Sequence, residues 1–230
     1  MSYGGTYAMP VQTFVKVNNS VRDRVHIIHV EPWKTLSERL TAHRRKRGWV
    51  WQKDDSVIVI NAGNGDLTGT LLYIYPHTQY VLVEPDSRKL SLLSKYSAQS
   101  NIDLRQGNVT ALPLERGQHS RVGYHLPPPI VSTEVVPRVT LDDVKSCKLL
   151  AITNFGDVVD NLSALSRLIR QQHPIVILHG VDAECSMTKV VSLMFTLYQY
   201  EVLDVFMTTW PEPGVGPLPQ SATILLGHVG

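Results

Sequence analysis

The sequence predicts an α/β protein whose mostly parallel, doubly wound, seven-stranded sheet ends in a C-terminal antiparallel hairpin. Three observations carry this. Continuous apolar runs recur at residues 57–60, 80–83, 149–152 and 175–178, as expected of strands covered on both faces. Stretches with apolar residues at helical spacing lie between them. The last two strands, 200–208 and 222–226, follow one another without a helix, so they should pair antiparallel at the sheet edge.

The elements follow in order. Residues 1–24 read as an N-terminal tail or extension, of which 1–10 are rich in Gly, Tyr and Ser and lack any period. Residues 25–230 read as one domain, which suits a chain of 230 residues. An early strand is expected over 25–30, interrupted by His26 and His29. A helix follows over 35–47: Thr35 or Ser37 can cap it, Leu36 and Leu40 share a face, and Gly48 stops it. After the strand at 57–60 come a glycine-containing segment, 61–69, and an apolar stretch at 70–75 that reads as helix. The strand 80–83 leads to a helix over 87–99 carrying Leu90, Leu93 and Tyr96, and a short strand at 102–105. Residues 113–138 contain Pro127, Pro128 and Pro129; a triple proline excludes helix and central strand, so this stretch reads as an extended variable loop. The alternation resumes with strand 149–152, helix 157–171, strand 175–178 and helix 183–197. A Pro/Gly-rich loop around 210–214 joins the final two strands.

Composition narrows the function. Charged residues make up 18% and hydrophobic residues 43%, enough apolar material for a packed core. Lys and Arg number 22 against 20 Asp and Glu, for a formal net charge of +2. So slight an excess argues against a domain built mainly to grip nucleic acid, and any such contact must come from a local patch. The two cysteines, Cys147 and Cys185, supply neither a disulfide framework nor a tetrahedral zinc set, and no metal is expected. Residues 1–10 lack the start of a secretory signal, and no apolar run approaches the ~20 residues of a membrane span. The expectation is an intracellular, cytoplasmic protein without a membrane segment.

Chemistry concentrates at the ends of the first strands. The run 57–60 ends in Asn61-Ala62-Gly63-Asn64-Gly65-Asp66. Gly63 and Gly65, directly after a buried strand, let the backbone turn tightly and approach a ligand. Glu84, at the tip of the second strand, can accept hydrogen bonds from both hydroxyls of a ribose; a solvated strand-end charge is the plainer alternative. Asn108, after the third strand, can bond an adenine edge or serve as an ordinary turn residue.

With these residues in place, the chain resembles the S-adenosylmethionine-dependent methyltransferases of the Rossmann-like class, whose sheet also closes with an antiparallel hairpin. Within that class it is most similar to the FkbM family of O-methyltransferases. The likeness rests on residues 59–65, on Val83-Glu84-Pro85-Asp86 and on Val139-Thr140-Leu141-Asp142-Asp143, and covers roughly residues 56 to 208. It implies S-adenosylmethionine as cofactor, held by Asn61, Gly63, Gly65, Glu84 and Asn108. Two departures stand out. The family usually carries Asp where Asn61 stands, and its Lys-Ile-Asp-Val-Glu-Gly segment is replaced by residues 150–157, which puts Thr153 or Asn154 at the strand acid and leaves Asp157 as the candidate for the second.

His179, closing the fifth strand, is a candidate base or a hydrogen-bonded strand-end histidine. Asp142 and Asp143 either flank an acceptor or cap a helical turn. Arg44, Arg45, Lys46 and Arg47, followed by Trp49 and Trp51, form the strongest charge cluster. They read as an RNA contact with stacking aromatics, or as helix-end cations above core tryptophans. Three functions follow: methyl transfer to an oxygen acceptor, a methyltransferase-like binding or scaffold module without catalysis, and an RNA methyltransferase using segment 43–51. The acceptor and the oligomeric state are not encoded in any recognisable motif, and the loops 113–138 and 210–220 are where acceptor recognition would sit.

Overall fold

Alternation within single strands shows how the layers are made. In β2 (Ser56–Ile60), Val57 and Val59 pack on one side of the sheet while Ile58 and Ile60 pack on the other, because successive side chains of a strand point to opposite faces. Both faces are therefore apolar, and helices cover both. The computed structural model describes residues 25–28, 32–52, 54–109, 119–123, 133–153, 162, 164–182, 186–208 and 221–229.

The remaining strands are β1 (Val25–Ile28), β3 (Gln79–Glu84), β4 (Ile102–Gln106), β5 (Asn108–Val109), β6 (His119–Gly123), β7 (Thr133–Val139), β8 (Cys147–Thr153), β9 (Ile175–Asp182), β10 (Tyr200–Thr208) and β11 (Ser221–His228). The helices are α1 (Pro32–Arg47), α2 (Asp66–Ile74), α3 (Ser87–Ser97), α4 (Ser166–Gln172) and α5 (Ser186–Tyr198). The main sheet runs β4-β3-β2-β8-β9-β11-β10-β1. Neighbours from β4 to β9 are parallel, whereas β11 is antiparallel to both β9 and β10.

The expected seven strands and closing hairpin are present, with two additions. First, β1 pairs parallel with β10. The hairpin is thus not the sheet's edge: β11 is inserted beside β9 and β1 lies outside β10. Apolar runs identify strands but do not reveal which edge a short strand joins. Second, the stretch 113–138, expected to be loop, contains β6 and β7, which pair antiparallel; β7 also pairs parallel with β5. The triple proline drew that reading, although the β-branched residues of 133–136 carry a strand signal.

One face is covered by α4 and α5 through Leu165, Ile169, Val190 and Met194. The other is covered by α1, α2 and α3 through Leu36, Leu40, Leu67, Leu71 and Leu93. Leu36 and Leu40 are buried as their spacing requires, and Gly48, at φ +62°, ends α1 in the left-handed conformation favoured after a helix. Buried Asp204 on β10 faces α1, with Arg39 Nε at 3.8 Å and His43 Nε2 at 3.6 Å. Burial lowers the His43 pKa against the pull of that carboxylate.

Candidate functional site

The switch point of the sheet lies between β2 and β8, where the strand order reverses, and ligands of such sheets bind beyond the carboxyl ends there. The glycine loop occupies this place. Asn61 has φ +55°, a conformation that Asn tolerates better than other residues with a side chain. Its carbonyl accepts the Thr153 hydroxyl from the end of β8. The Ala62 N–H donates to Val83 O at 3.1 Å and Gly65 N–H to Ala62 O at 3.1 Å, closing the turn into α2.

The two glycines do different work. Gly63 has φ +60°, and a Cβ there would meet nothing nearer than Asn61 O at 3.8 Å; its outer side is open. Gly65 has φ +87°, and a Cβ would lie 2.8 Å from Tyr96 Cε2 and 2.9 Å from Leu93 Cδ2 on α3. The Tyr96 hydroxyl also donates to Gly65 O at 3.1 Å. Gly65 therefore serves helix packing rather than ligand approach, a division that the Gly-x-Gly spacing does not reveal. An open cavity of about 680 Å³ lies against the Gly65 end of the loop, with Gly65, Glu38, Asp66, Thr70, Tyr73 and Tyr96 in its lining, and Gly63 is not among its lining residues.

Glu84 is not a solvated strand-end charge, since it is only 2% exposed. Its Oε2 accepts the Gly63 N–H at 2.7 Å and its Oε1 accepts the Asp86 N–H at 3.0 Å. Burial pushes its pKa up, and these two bonds pull against that shift. The segment Glu84-Pro85-Asp86 has a local logic: Glu84 holds the glycine loop, and Asp86 caps α3 by accepting the Arg88 N–H at 2.8 Å. Gly107 N–H donates to Glu84 O at 3.2 Å, which brings half-buried Asn108 to the neighbouring strand end.

His179 stands on the same edge, in register with Thr153 of β8 and 2.8 Å from Thr223 Oγ1 of β11 through Nδ1. Burial lowers its pKa to about 4, with the Asp66 carboxylate opposing. Thr153 is one of the two residues expected at the end of β8, whereas Thr223, Asp66 and Tyr96 are participants that sequence reasoning missed; only the pairing of strands and helices identifies them. Asn154 and Asp157 lie outside the described residues.

The remaining candidates lie apart from the loop. Asp143 forms a two-pronged pair with Arg105 Nη1 at 2.9 Å and Nη2 at 2.5 Å, and Nη1 also donates to Thr140 O at 3.0 Å. Asp143 thus clamps the Thr140-Leu141-Asp142-Asp143 segment to β4, and Asp142 lies 3.5 Å from Arg167. The basic segment is at the opposite, amino edge of the sheet. Arg44 lies 5.9 Å over the Tyr75 ring and Arg47 pairs with Glu201, while Arg45 and Lys46 are exposed. Trp49 and Trp51 pack against the core face of α1 and α2, and the Trp51 and Tyr75 ring centres are 4.3 Å apart.

No model of a known protein family matches the chain, and no curated protein sequence does. Solved structures match it through their fold. A precorrin-6y C5,15-methyltransferase from Geobacter metallireducens shares 15% identity at a TM-score of 0.50, over 87% of this chain and 93% of that one. A precorrin 8w decarboxylase from Methanobacterium thermoautotrophicum shares 13% identity at 0.50, over 96% and 100%. A methyltransferase FkbM from Methylobacillus flagellatus shares 12% at 0.48, over 77% of this chain and 45% of that one. The chain has the fold of the Rossmann-like methyltransferases. Of these three neighbours two are named methyltransferases and one a decarboxylase; FkbM is one of them and is not set apart. No helix among the described residues is long and apolar enough to cross a membrane.

Proposed function

We propose that the chain is an S-adenosylmethionine-dependent methyltransferase acting on an oxygen acceptor. The observation that carries this reading is the glycine loop at the switch point, its Gly63 N–H held at 2.7 Å by the buried Glu84 carboxylate of the next strand. The residues fit the cofactor on two counts. The outer side of Gly63 is open, and a carboxylate offers about four acceptor sites, so Glu84 can keep its backbone donors and receive ribose hydroxyls. Asn61 and Gly65 shape the turn, and Asn108, at the strand end beside Glu84, is the residue assigned to the adenine edge in this reading.

S-adenosylmethionine, when bound, supplies an electrophilic methyl group. The chain's part is alignment and exclusion of water, which can account for much of the rate of such a transfer. His179 is held neutral by burial. Hydrogen-bonded to Thr223 through Nδ1, it is the candidate base of the site, but a pKa of about 4 makes it a weak one near neutral pH, so alignment carries the larger share. Asn154 and Asp157, next along the chain from Thr153, complete the candidate set. The amino-edge position of Arg44, Arg45, Lys46 and Arg47 supports an acceptor pocket that is not built from them.

A second reading, a binding module without catalysis, is favoured by one observation: both Glu84 oxygens already accept backbone N–H groups at a strand end almost closed to solvent. Calorimetric titration with S-adenosylmethionine and S-adenosylhomocysteine separates the two. We expect micromolar binding in the wild type and at least tenfold weaker binding in Glu84→Gln, with circular dichroism confirming that the variant is folded. No binding at millimolar cofactor by the folded wild type would refute methyl transfer and leave the module.

A further inference from the structure

The C-terminal end of α1 and the amino edge of the sheet enclose a cleft that methyl transfer does not use. Its volume is about 820 Å³, and its lining includes Arg47, Trp49, His173, Glu201 and His228. We propose that this cleft binds single-stranded RNA, with phosphates along the last turn of α1 and a base against Trp49.

The charge distribution is the first argument. Four cations in succession, Arg44, Arg45, Lys46 and Arg47, end α1, in a chain whose net charge is only +2. A helix dipole is satisfied by one or two cations in its last turn, and further like charges repel one another there. All four are exposed, and two of them have surface partners: Arg44 donates to Trp49 O at 3.4 Å and Arg47 pairs with Glu201. Arg45 and Lys46 project into solvent. Exposed Lys145 and Lys148 lie just before and at the start of β8, on the same amino edge, with Asp55 bonded to Ser146 between them.

The lining supplies the second argument. Trp49 is half-buried, so its inner part packs on the core while its outer part remains available as a stacking surface. The rings of His173 and His228 meet edge to face with centres 3.8 Å apart, and burial, followed by the proximity of His228, lowers the His173 pKa. A neutral imidazole at His173 offers one donor and one acceptor. The Glu201 carboxylate repels a bare phosphate, but its several acceptor sites can hold Arg47 and a ribose 2′-hydroxyl together. That hydroxyl distinguishes RNA from DNA, which is why RNA is the occupant. β9 alone, with 8 residues, spans roughly 26 Å at about 3.3 Å per residue. The RNA contact is therefore an anchor remote from the glycine loop, and it holds whether or not the loop binds S-adenosylmethionine.

Fluorescence anisotropy of the full chain with a labelled, unstructured single-stranded RNA tests this without any cofactor. Four phosphate contacts give a salt slope of about −2.8, so affinity should fall about 50-fold between ~50 and ~200 mM salt. In Arg45→Gln/Lys46→Gln, whose side chains are exposed, the slope should shrink to about −1.4 and the fall to about sevenfold. Glu201→Gln should bring the preference for RNA over DNA of the same sequence towards one. An unchanged slope in the double variant overturns the proposal, as does DNA binding equal to RNA in the wild type. Displacement of RNA by polyglutamate at equal charge would assign the cleft to an acidic protein instead, and would overturn it as well.

Discussion

Replacing each loop glycine by alanine should separate packing from ligand approach. Both positions have a left-handed backbone, where an L-residue costs about 1–2 kcal/mol. At Gly63 the new methyl meets nothing closer than 3.8 Å, so the backbone term stands alone. At Gly65 the methyl falls 2.8 Å from Tyr96 Cε2 and 2.9 Å from Leu93 Cδ2. Displacing those side chains adds about 1–3 kcal/mol. Gly65→Ala should then be less stable than Gly63→Ala by about 2 kcal/mol, or ~4–8 °C in Tm for a chain of this size. Urea unfolding followed by circular dichroism measures the difference. Adding Tyr96→Ala should remove part of the excess cost in Gly65→Ala, the Leu93 contact remaining, and none in Gly63→Ala. Equal stabilities for the two alanine variants, or no rescue, would refute the division of labour between the glycines.

Three further outcomes are expected. Gly63→Ala, destabilised only by the backbone cost of about 1–2 kcal/mol, should bind S-adenosylmethionine more weakly in calorimetry, because its methyl enters the open side of the loop. For His179, the folded pKa of about 4 lies below the ordinary 6.5. The unfolded chain therefore binds the proton first, and stability falls as pH drops from 6.5 to 4, by up to about 3 kcal/mol. In His179→Asn that slope should flatten; identical curves for variant and wild type would show that the imidazole is not held neutral. Arg105 holds the Asp143 carboxyl below its usual range, so this pair stabilises above the ordinary carboxylate pKa and is lost as pH falls through the folded value. With Asp143 63% exposed, Asp143→Asn should cost under ~1 kcal/mol at neutral pH and nothing in strong acid, as read by thermal unfolding at both pH values.

Much of the architecture was legible because its signals are local. The runs at 57–60 and 175–178 are continuous because both their faces are buried, and the spacing of Leu36 and Leu40 defines the buried side of α1. The hairpin at the end follows from the lack of a helix between two strands. What escaped depends on contacts between distant residues. No local feature of Val25–Ile28 says that it joins β10, and none of Arg105 says that it reaches Asp143, 38 positions on. Tyr96 was placed on the apolar side of its helix, but its hydroxyl bond to Gly65 crosses 31 positions. For the site, Glu84 was found from its strand-end position, while its near-complete burial was not, because burial there depends on the returning backbone of Gly63.

The helix α2 is gripped at both ends by aromatic rings: Tyr96 covers its start at Gly65 and Gly69, and Tyr75, just past its end, lies against Trp51 and beneath Arg44. Its length is consequently as constrained as its composition. Inserting a single residue within 66–74 would turn everything beyond it by about 100° and advance it by ~1.5 Å. Leu71 would swing off the sheet and Tyr75 would leave its partners. A substitution on the exposed side, such as at Tyr73 with 85% of its surface in solvent, disturbs neither grip. Lineages of this protein should therefore vary freely in sequence at that position while keeping the number of residues between Gly65 and Tyr75 fixed.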